Sequence, residues 1–113
     1  MTDKPDILIY MSDQHSASMV ADKDPYVETP FLAELAQKAY VFNVAYTSCP
    51  LCVPARASFL TARLPSRLGV FSNGDDFKSG EVTFAHLCGI AGYQTSLIGR
   101  MHLVGEDQLH GFD

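Results

Sequence analysis

The fold class is decided by residues 41–64, which read VFNVAYTSCPLCVPARASFLTARL. Over residues 41–47 two sets of side chains alternate, and this alternation is typical of a β-strand. Pro54 suits the first turn of a helix, which needs no backbone N–H from it, and Pro65 would end that helix. The stretch therefore predicts a strand, a short loop and a helix in succession.

The alternation of strands and helices continues on both sides of this unit. DILIYM (residues 6–11) and YQTSLIG (93–99) are short apolar runs that predict two further strands. ETPFLAELAQKAY (28–40) predicts a helix with Thr29 as N-cap and Pro30 at the first helical position.

A third helix is predicted within residues 82–93, with Thr83 as its cap and Gly92 as its stop, after a loop over 72–80. Strands joined by helices imply an α/β fold with a mostly parallel sheet and helices on both faces. No closing element is visible before the last residues. We therefore expect residues 1–113 to be the N-terminal part of one larger α/β domain.

Composition excludes several classes of protein. With 47% hydrophobic and 19% charged residues the chain is ordinary for a globular protein rather than a disordered one. A net charge of −5 without a Lys/Arg run argues against nucleic acid or an anionic membrane as a partner. No apolar stretch approaches the roughly 20 residues of a membrane span, and the start lacks the features of a signal peptide. Three cysteines do not suggest a disulfide framework, so we expect a cytoplasmic protein.

Three polar clusters follow the predicted strands directly, at residues 12–15, 48–56 and 99–102. The carboxyl ends of the strands of an open α/β sheet are the edge at which ligands bind. The shared placement of the clusters therefore indicates one functional edge.

The first cluster contains Asp13 and Gln14. Adjacent carboxylate and amide oxygens at a strand end suit a hard divalent cation. The alternative is a turn in which Asp13 caps the next segment.

The second cluster places Cys52 just ahead of the helix that Pro54 opens, where free N–H groups and the helix dipole favour an anion. Arg56 adds a positive charge whose planar fork fits tetrahedral oxyanions. A nucleophile with an anion cradle describes ester cleavage on a sulfate or a phosphate. The alternative is a buried structural cysteine.

The third cluster contains Arg100 and His102, which on an extended segment would project to the same side. Arginine can hold an anionic oxygen and histidine can protonate a leaving oxygen, although both are also common as solvated loop residues. His86 falls inside a helix and is expected to be structural. Weaker candidates, which fit turn or surface positions, are His15, Asn73, Asp75, Asp76, Asp107 and His110.

Cys49 and Cys52 also form a C-x-x-C pair, which raises thiol-redox or zinc chemistry. A redox couple places its first cysteine at a helix N-terminus, whereas Cys49 is predicted to lie in the loop. A structural zinc site needs four ligands, and Cys88 is a lone third cysteine within a helix. Both thiol interpretations fit poorly.

Several ordered motifs resemble the sulfatase family, within the alkaline-phosphatase-like superfamily. Cys52-Val-Pro-Ala-Arg56 resembles its C-x-P-x-R signature, PDILIYMSDQ (5–14) is similar to its opening strand with a metal-binding acidic pair, and AGYQTSLIGRMHLVG (91–105) resembles its A-G-Y…G-K-W-H-x-G segment. The resemblance covers nearly the whole chain. Within the family the choline-sulfatase and phosphonate-monoester-hydrolase branches look most similar.

The resemblance implies a role for each matching residue. Asp13 and Gln14 would be metal ligands, with Ca²⁺ the first candidate and Mg²⁺ or Mn²⁺ as alternatives. Cys52 would be converted to formylglycine, whose hydrate is both nucleophile and metal ligand. Arg56 would orient that diol. The implied contacts to the sulfate of the substrate, with a histidine near the leaving oxygen, come from Asn73, Arg100 and His102.

Three positions depart from the family pattern: Gln14 stands where a second Asp is frequent, Ala55 where the signature usually has Ser, and Arg100 where Lys is commoner. Further metal ligands and a lysine would come from downstream of this chain. We therefore expect the complementary C-terminal part of the domain as a partner, with homo-oligomerisation possible, and expect residues 1–113 alone to be inactive.

The resemblance also implies a mechanism on a small-molecule sulfate ester. One diol hydroxyl attacks sulfur, the alcohol leaves with a proton from a donor such as His102, and deprotonation of the second hydroxyl then expels sulfate. Hydrolysis of phosphonate or phosphate diesters is the alternative within the superfamily, and an inert sulfatase-like fragment is a second.

Overall fold

The computed structural model describes residues 4–20 and 23–113. The chain divides into two compact units, residues 1–44 and 45–113. Among the described residues no helix is long and apolar enough to cross a membrane.

The described part of the first unit includes a short 3₁₀ turn and an α-helix. The turn runs over Ala17–Met19 and is capped by the hydroxyl of Ser16. Helix α1 runs over Pro30–Lys38, inside the predicted range of 28–40, with Pro30 at its first position as expected. Thr29 occupies the N-cap position but makes no capping hydrogen bond with its side chain.

The structure does not confirm the predicted strands over residues 6–11, 41–47 and 93–99. Across 4–20 and 23–113 there is no β-strand, and the β pairing consists of one isolated parallel bridge between Asp76 and Val104. The three predicted runs lack strand neighbours to bond with, and their apolar side chains face solvent. The exposed fractions of three such side chains are 92% for Leu8, 83% for Phe42 and 100% for Ile98. An apolar run indicates that its side chains become buried. A β-strand also requires a second backbone segment with which to form hydrogen bonds.

Three helices and one hydrophobic core form the second unit. Helix α2 runs over Cys52–Thr61, α3 over Pro65–Leu68 and α4 over Phe84–Ile90. Ala62, in the left-handed conformation at φ 55°, ends α2. The core comprises Val53, Ala57, Leu60, Leu68, Val70, Phe77 and Leu103, with Phe84, Met101 and Phe112 packed against it.

Helix α2 contributes the face of Val53, Ala57 and Leu60, at the i, i+4 and i+7 spacing that lines one side of a helix. Burying a side chain of the size of Val or Leu stabilises by about 1.5–3 kcal/mol. The core thus holds α2 along its length, from Val53 in its first turn to Leu60.

Helix α4 begins where the sequence predicts, at Thr83. A capping box closes its first turn: the His86 N–H donates to Thr83 Oγ1 and the Thr83 N–H donates to His86 Nδ1 at 3.1 Å. His86 is therefore structural, as expected. Gly92, at φ 84°, follows the C-cap Ala91 and ends the helix without the steric cost that a Cβ would add.

Candidate active site

Helix α2 begins at Cys52, not at Pro54 as the sequence indicated. Leu51 is the N-cap and its carbonyl accepts the Ala55 N–H at 3.0 Å. Pro54 lies within the first turn, where its missing N–H leaves no hydrogen bond unmade. Cys52 is therefore the first helical residue, half-buried, at the positive end of the helix dipole.

The N-terminus of α2 is capped from a distance. The Leu51 side chain makes no capping bond, but the Val53 N–H donates to Asn73 Oδ1 at 3.0 Å. This contact fixes which way the Asn73 amide faces, because only its oxygen can accept. The sequence around Asn73 makes it only a weak site candidate. No local pattern predicts that its side chain caps a helix that begins about 20 residues earlier.

A tight turn presents Asn73 to the helix. The Asp75 carboxylate accepts the Phe71 N–H at 2.7 Å, the Ser72 N–H at 2.9 Å and the Ser72 hydroxyl at 2.8 Å. The backbone N–H of Phe71, then the hydroxyl and N–H of Ser72, hold the pKa of Asp75 below its ordinary value. Asp75 is thus an ionised turn residue, in line with its weak rank as a site candidate.

Arg56 joins the start of α2 to the third polar cluster. Its Nη1 donates to the carbonyl oxygen of Arg100 at 2.8 Å and to that of Met101 at 3.4 Å. Within the second unit, Cys52, Asn73 and the Arg100–His102 segment are therefore all tied to the first turns of one helix.

The Arg100–His102 segment is not the regular extended chain that the sequence suggested. Gly99 has φ 122° and His102 has φ 57°, so the i, i+2 argument for a common side does not apply. Arg100 is exposed and His102 is half-buried. The buried Nδ1 of His102 has no hydrogen-bond partner within the part of the chain that the structure describes.

Asp13 and Gln14 lie in the first unit, in an exposed bend. Gln14 has φ 50°, a left-handed conformation that places it in a turn. Because these residues and Cys52 belong to different units, their convergence on one pocket stays a prediction. The described residues contain no group of three or more His, Cys, Asp or Glu side chains placed to hold a metal ion.

All three cysteines are free and half-buried. Cys49 lies in the loop before α2, where its N–H and carbonyl both bond to the Thr47 hydroxyl. It is therefore not at a helix N-terminus, where the first cysteine of a redox couple belongs. Neither the redox nor the zinc interpretation gains support.

Comparison with known proteins identifies the relatives of this chain. The family described as Sulfatase matches residues 5–113. The choline-sulfatase of Rhizobium meliloti is 47% identical over 113 residues, an alignment that covers 99% of this chain and 22% of that protein. The ulvan-active sulfatase of Formosa agariphila is 35% identical over 97% of this chain and 23% of its own length. For the arylsulfatase of Clostridium perfringens these figures are 36%, 96% and 23%. The chain spans about a fifth of the length of the curated relatives that it matches.

Proposed function

The chain belongs to the sulfatase family, and from this premise we propose that it carries the nucleophile side of an active site that hydrolyses sulfate esters. Membership implies the α/β fold of the alkaline-phosphatase-like superfamily. One observation carries the proposal: the signature residues Cys52 and Arg56 occupy the first turns of α2, and Arg56 holds the segment that contains His102.

We propose that residues 1–113 form the N-terminal part of a single catalytic domain. In the complete protein the apolar runs 6–11, 41–47 and 93–99 would pair in a mostly parallel sheet. The exposure of these apolar runs supports this arrangement. The length of the chain, about a fifth of that of its relatives, supports it as well. The complementary C-terminal polypeptide would then cover them.

Cys52 fits the formylglycine that the family uses as its nucleophile. Converted to formylglycine, Cys52 would supply a hydrated aldehyde whose two hydroxyls serve sulfate-ester hydrolysis, one as the nucleophile and the other in the release of sulfate. At the start of α2 the helix dipole favours an anion beside this residue, although the Val53 N–H is taken by Asn73 Oδ1 and Pro54 has no N–H to donate.

The other residues of this unit hold the substrate and move a proton. The guanidinium of Arg56 places a permanent positive charge on the first turns of α2 and holds the carbonyls of Arg100 and Met101. With Asn73 Oδ1 occupied by the Val53 N–H, the Asn73 NH₂ group is left as the donor toward a sulfate oxygen. Arg100 would bind a second oxygen, and His102 would protonate the leaving alcohol.

Asp13 and Gln14 fit a hard divalent cation by the chemistry of their oxygen atoms, with Ca²⁺ preferred over Mg²⁺ or Mn²⁺. The modified Cys52 would add a third ligand. Ca²⁺ takes about 6–8 oxygen ligands, so the remaining ones would come from polypeptide beyond these residues. The cation would polarise the sulfate oxygens. Because Gln14 is neutral, this ligand pair carries one negative charge rather than two.

The test is hydrolysis by the full-length protein, produced together with the formylglycine maturation system. Choline sulfate, 4-nitrophenyl sulfate and a phenyl phosphonate monoester are offered with Ca²⁺ and after chelation. We expect sulfate release that chelation abolishes. A preference for the phosphonate would favour the alternative activity, since a tetrahedral anion cradle does not by itself distinguish the two. Matured protein that hydrolyses none of the three would contradict the proposal.

A further inference from the structure

We propose that Asp75 is a positioning residue for the reaction. It would hold the turn that places Asn73 against Val53 and thereby fix the helix start at which Cys52 lies. The inference rests on the proposed function, but its structural step can be measured without activity.

The first step is the turn itself. One oxygen of Asp75, Oδ2, accepts the backbone N–H groups of both Phe71 and Ser72, and Oδ1 accepts the Ser72 hydroxyl. The same hydroxyl oxygen accepts the Gly74 N–H at 3.2 Å. Hydrogen bonds from Asp75 and Ser72 therefore bracket Asn73 on both sides. Just before the turn Val70 is fully buried, which anchors the turn to the core.

The second step is the cap. The Asn73 side chain reaches out of its own turn, and its oxygen accepts the N–H of Val53, the residue directly after Cys52. The N-cap residue Leu51 makes no capping bond with its own side chain. Two restraints therefore hold the backbone next to Cys52: the burial of Val53 in the core, and a cap that Asp75 organises and does not itself make.

The third step is the consequence for chemistry. Loss of a cap lets the first turn of a helix fray, and Cys52 is in that turn. Small displacements of a reacting group reduce rates by up to about 100-fold, and residues that orient reacting groups are typically worth about 10–100-fold. We expect Asp75→Ala to lower kcat by about 10–100-fold, with a smaller change in KM.

The conservative variant separates positioning from charge. In Asp75→Asn the amide oxygen can still accept the Phe71 and Ser72 N–H groups, and the new NH₂ can donate to the Ser72 hydroxyl. We expect Asp75→Asn to recover most of the kcat lost in Asp75→Ala. If the negative charge of Asp75 acted directly on the site, Asp75→Asn would be as impaired as Asp75→Ala, and the proposal would be wrong.

The experiment uses the full-length protein with Asp75→Ala, Asp75→Asn, Asn73→Ala and the double variant of Asn73 and Asp75. Asp24→Ala is the matched control. Like Asp75, Asp24 accepts a backbone N–H within a turn, from Tyr26 at 2.8 Å, but it lies in the first unit. Kinetics and amide hydrogen exchange of Val53 are measured for each. Because Asp75 acts through Asn73, the double variant should be no slower than Asn73→Ala.

We expect the Val53 amide to exchange faster in Asp75→Ala and in Asn73→Ala, and to be unchanged in Asp24→Ala. Wild-type exchange at Val53 in Asp75→Ala would overturn the proposal, as would additive losses of kcat in the double variant. If the matured wild-type protein hydrolyses no ester, the proposed function fails and the exchange measurement alone decides the role of Asp75.

Discussion

Cys52 is the residue on which the proposed chemistry depends. Its side chain is half-buried at the start of α2 and is not part of the hydrophobic core, so replacing it removes little packing. We expect Cys52→Ala in the full-length protein to lose turnover by more than 1,000-fold while its melting temperature stays within a few degrees, since removal of a catalytic nucleophile has effects of this order. Activity within tenfold of wild type would remove Cys52 from the mechanism.

Arg56 combines a charge with a specific set of contacts. Its Nη1 donates to two carbonyl oxygens at 2.8 and 3.4 Å. The single nitrogen of a lysine cannot make these bonds and also present a planar fork to an anion. We expect Arg56→Lys to lower kcat/KM by about 100-fold or more, of the size found when one preorganised donor is removed. Steady-state kinetics at several salt concentrations measure this, and near-normal values would mean that Arg56 only balances charge.

At the scale of secondary-structure elements, the helices could be predicted because their signals are local. Thr83 and Gly92 bound α4, and Pro30 opens α1. The sequence predicts that α2 begins at Pro54, two residues after its actual start. The error arises because the capping residue, Asn73, lies in a distant turn. The positive φ of His102 was also invisible, because nothing in the neighbouring residues requires it.

The predicted strands could not be settled by the same reasoning. An apolar run such as residues 6–11 indicates burial but does not say which backbone will pair with it. Membership in the sulfatase family supports an α/β fold, while the sheet itself stays a prediction.

Among the site residues, Cys52, Asn73, Arg56 and the Arg100–His102 segment are brought together around α2. The convergence of Asp13 and Gln14 with them stays a prediction.

Helix α4 offers a direct test of the capping argument. Thr83 is fully buried and its hydroxyl accepts the His86 N–H and donates to the His110 carbonyl at 2.6 Å. We expect Thr83→Ala to lower the free energy of unfolding by about 1–3 kcal/mol, since it removes a cap and leaves a buried carbonyl unpaired. Urea denaturation of the full-length protein measures the change. Thr83→Ser keeps the hydroxyl and should recover most of it; equal losses would show that the methyl group rather than the hydrogen bonds matters.

For the molecule as a whole, stability should depend on pH through His110. This fully buried ring lies 4.6 Å from the ring of Phe77 and its Nδ1 is 3.4 Å from Asp107 Oδ2. Burial is the largest influence and lowers the pKa of His110 below its ordinary value; the nearby Asp107 carboxylate opposes it, and His86 (lowering) and Asp76 (raising) have smaller effects.

The sign of this dependence follows from proton linkage. In the unfolded chain His110 titrates near pH 6.5, and in the folded protein it titrates lower, so between those values the unfolded state binds more protons. The free energy of unfolding should therefore fall as pH drops below about 6.5. Urea titrations of the full-length protein between pH 7.5 and 5.0 measure this loss of unfolding free energy, and we expect a smaller loss in His110→Leu. The N–H groups of His110 and Leu109 lower the pKa of Asp107. Its titration therefore changes the free energy of unfolding only near pH 4 and below. An identical slope in both proteins would contradict the assignment.

Exposed apolar side chains make a further prediction for residues 1–113 on their own. Many large apolar residues face solvent, including Leu8, Phe42 and Ile98. A surface of this kind marks an interaction site or a liability to aggregate. We expect the isolated polypeptide to be inactive and to aggregate or unfold without cooperativity. Sedimentation and thermal melts measure this, and a monodisperse, cooperatively unfolding monomer would refute it.

The central claim is that the chemistry belongs to Cys52 and is not thiol chemistry. The most direct test is the mass of the tryptic peptide of residues 39–56, taken from active full-length protein made with the maturation system. Conversion of cysteine to formylglycine lowers that mass by about 18 Da, and tandem fragmentation should place the change at Cys52 rather than Cys49. An active protein whose peptide is unmodified, or is lighter by the roughly 2 Da of a Cys49–Cys52 disulfide, would contradict the claim.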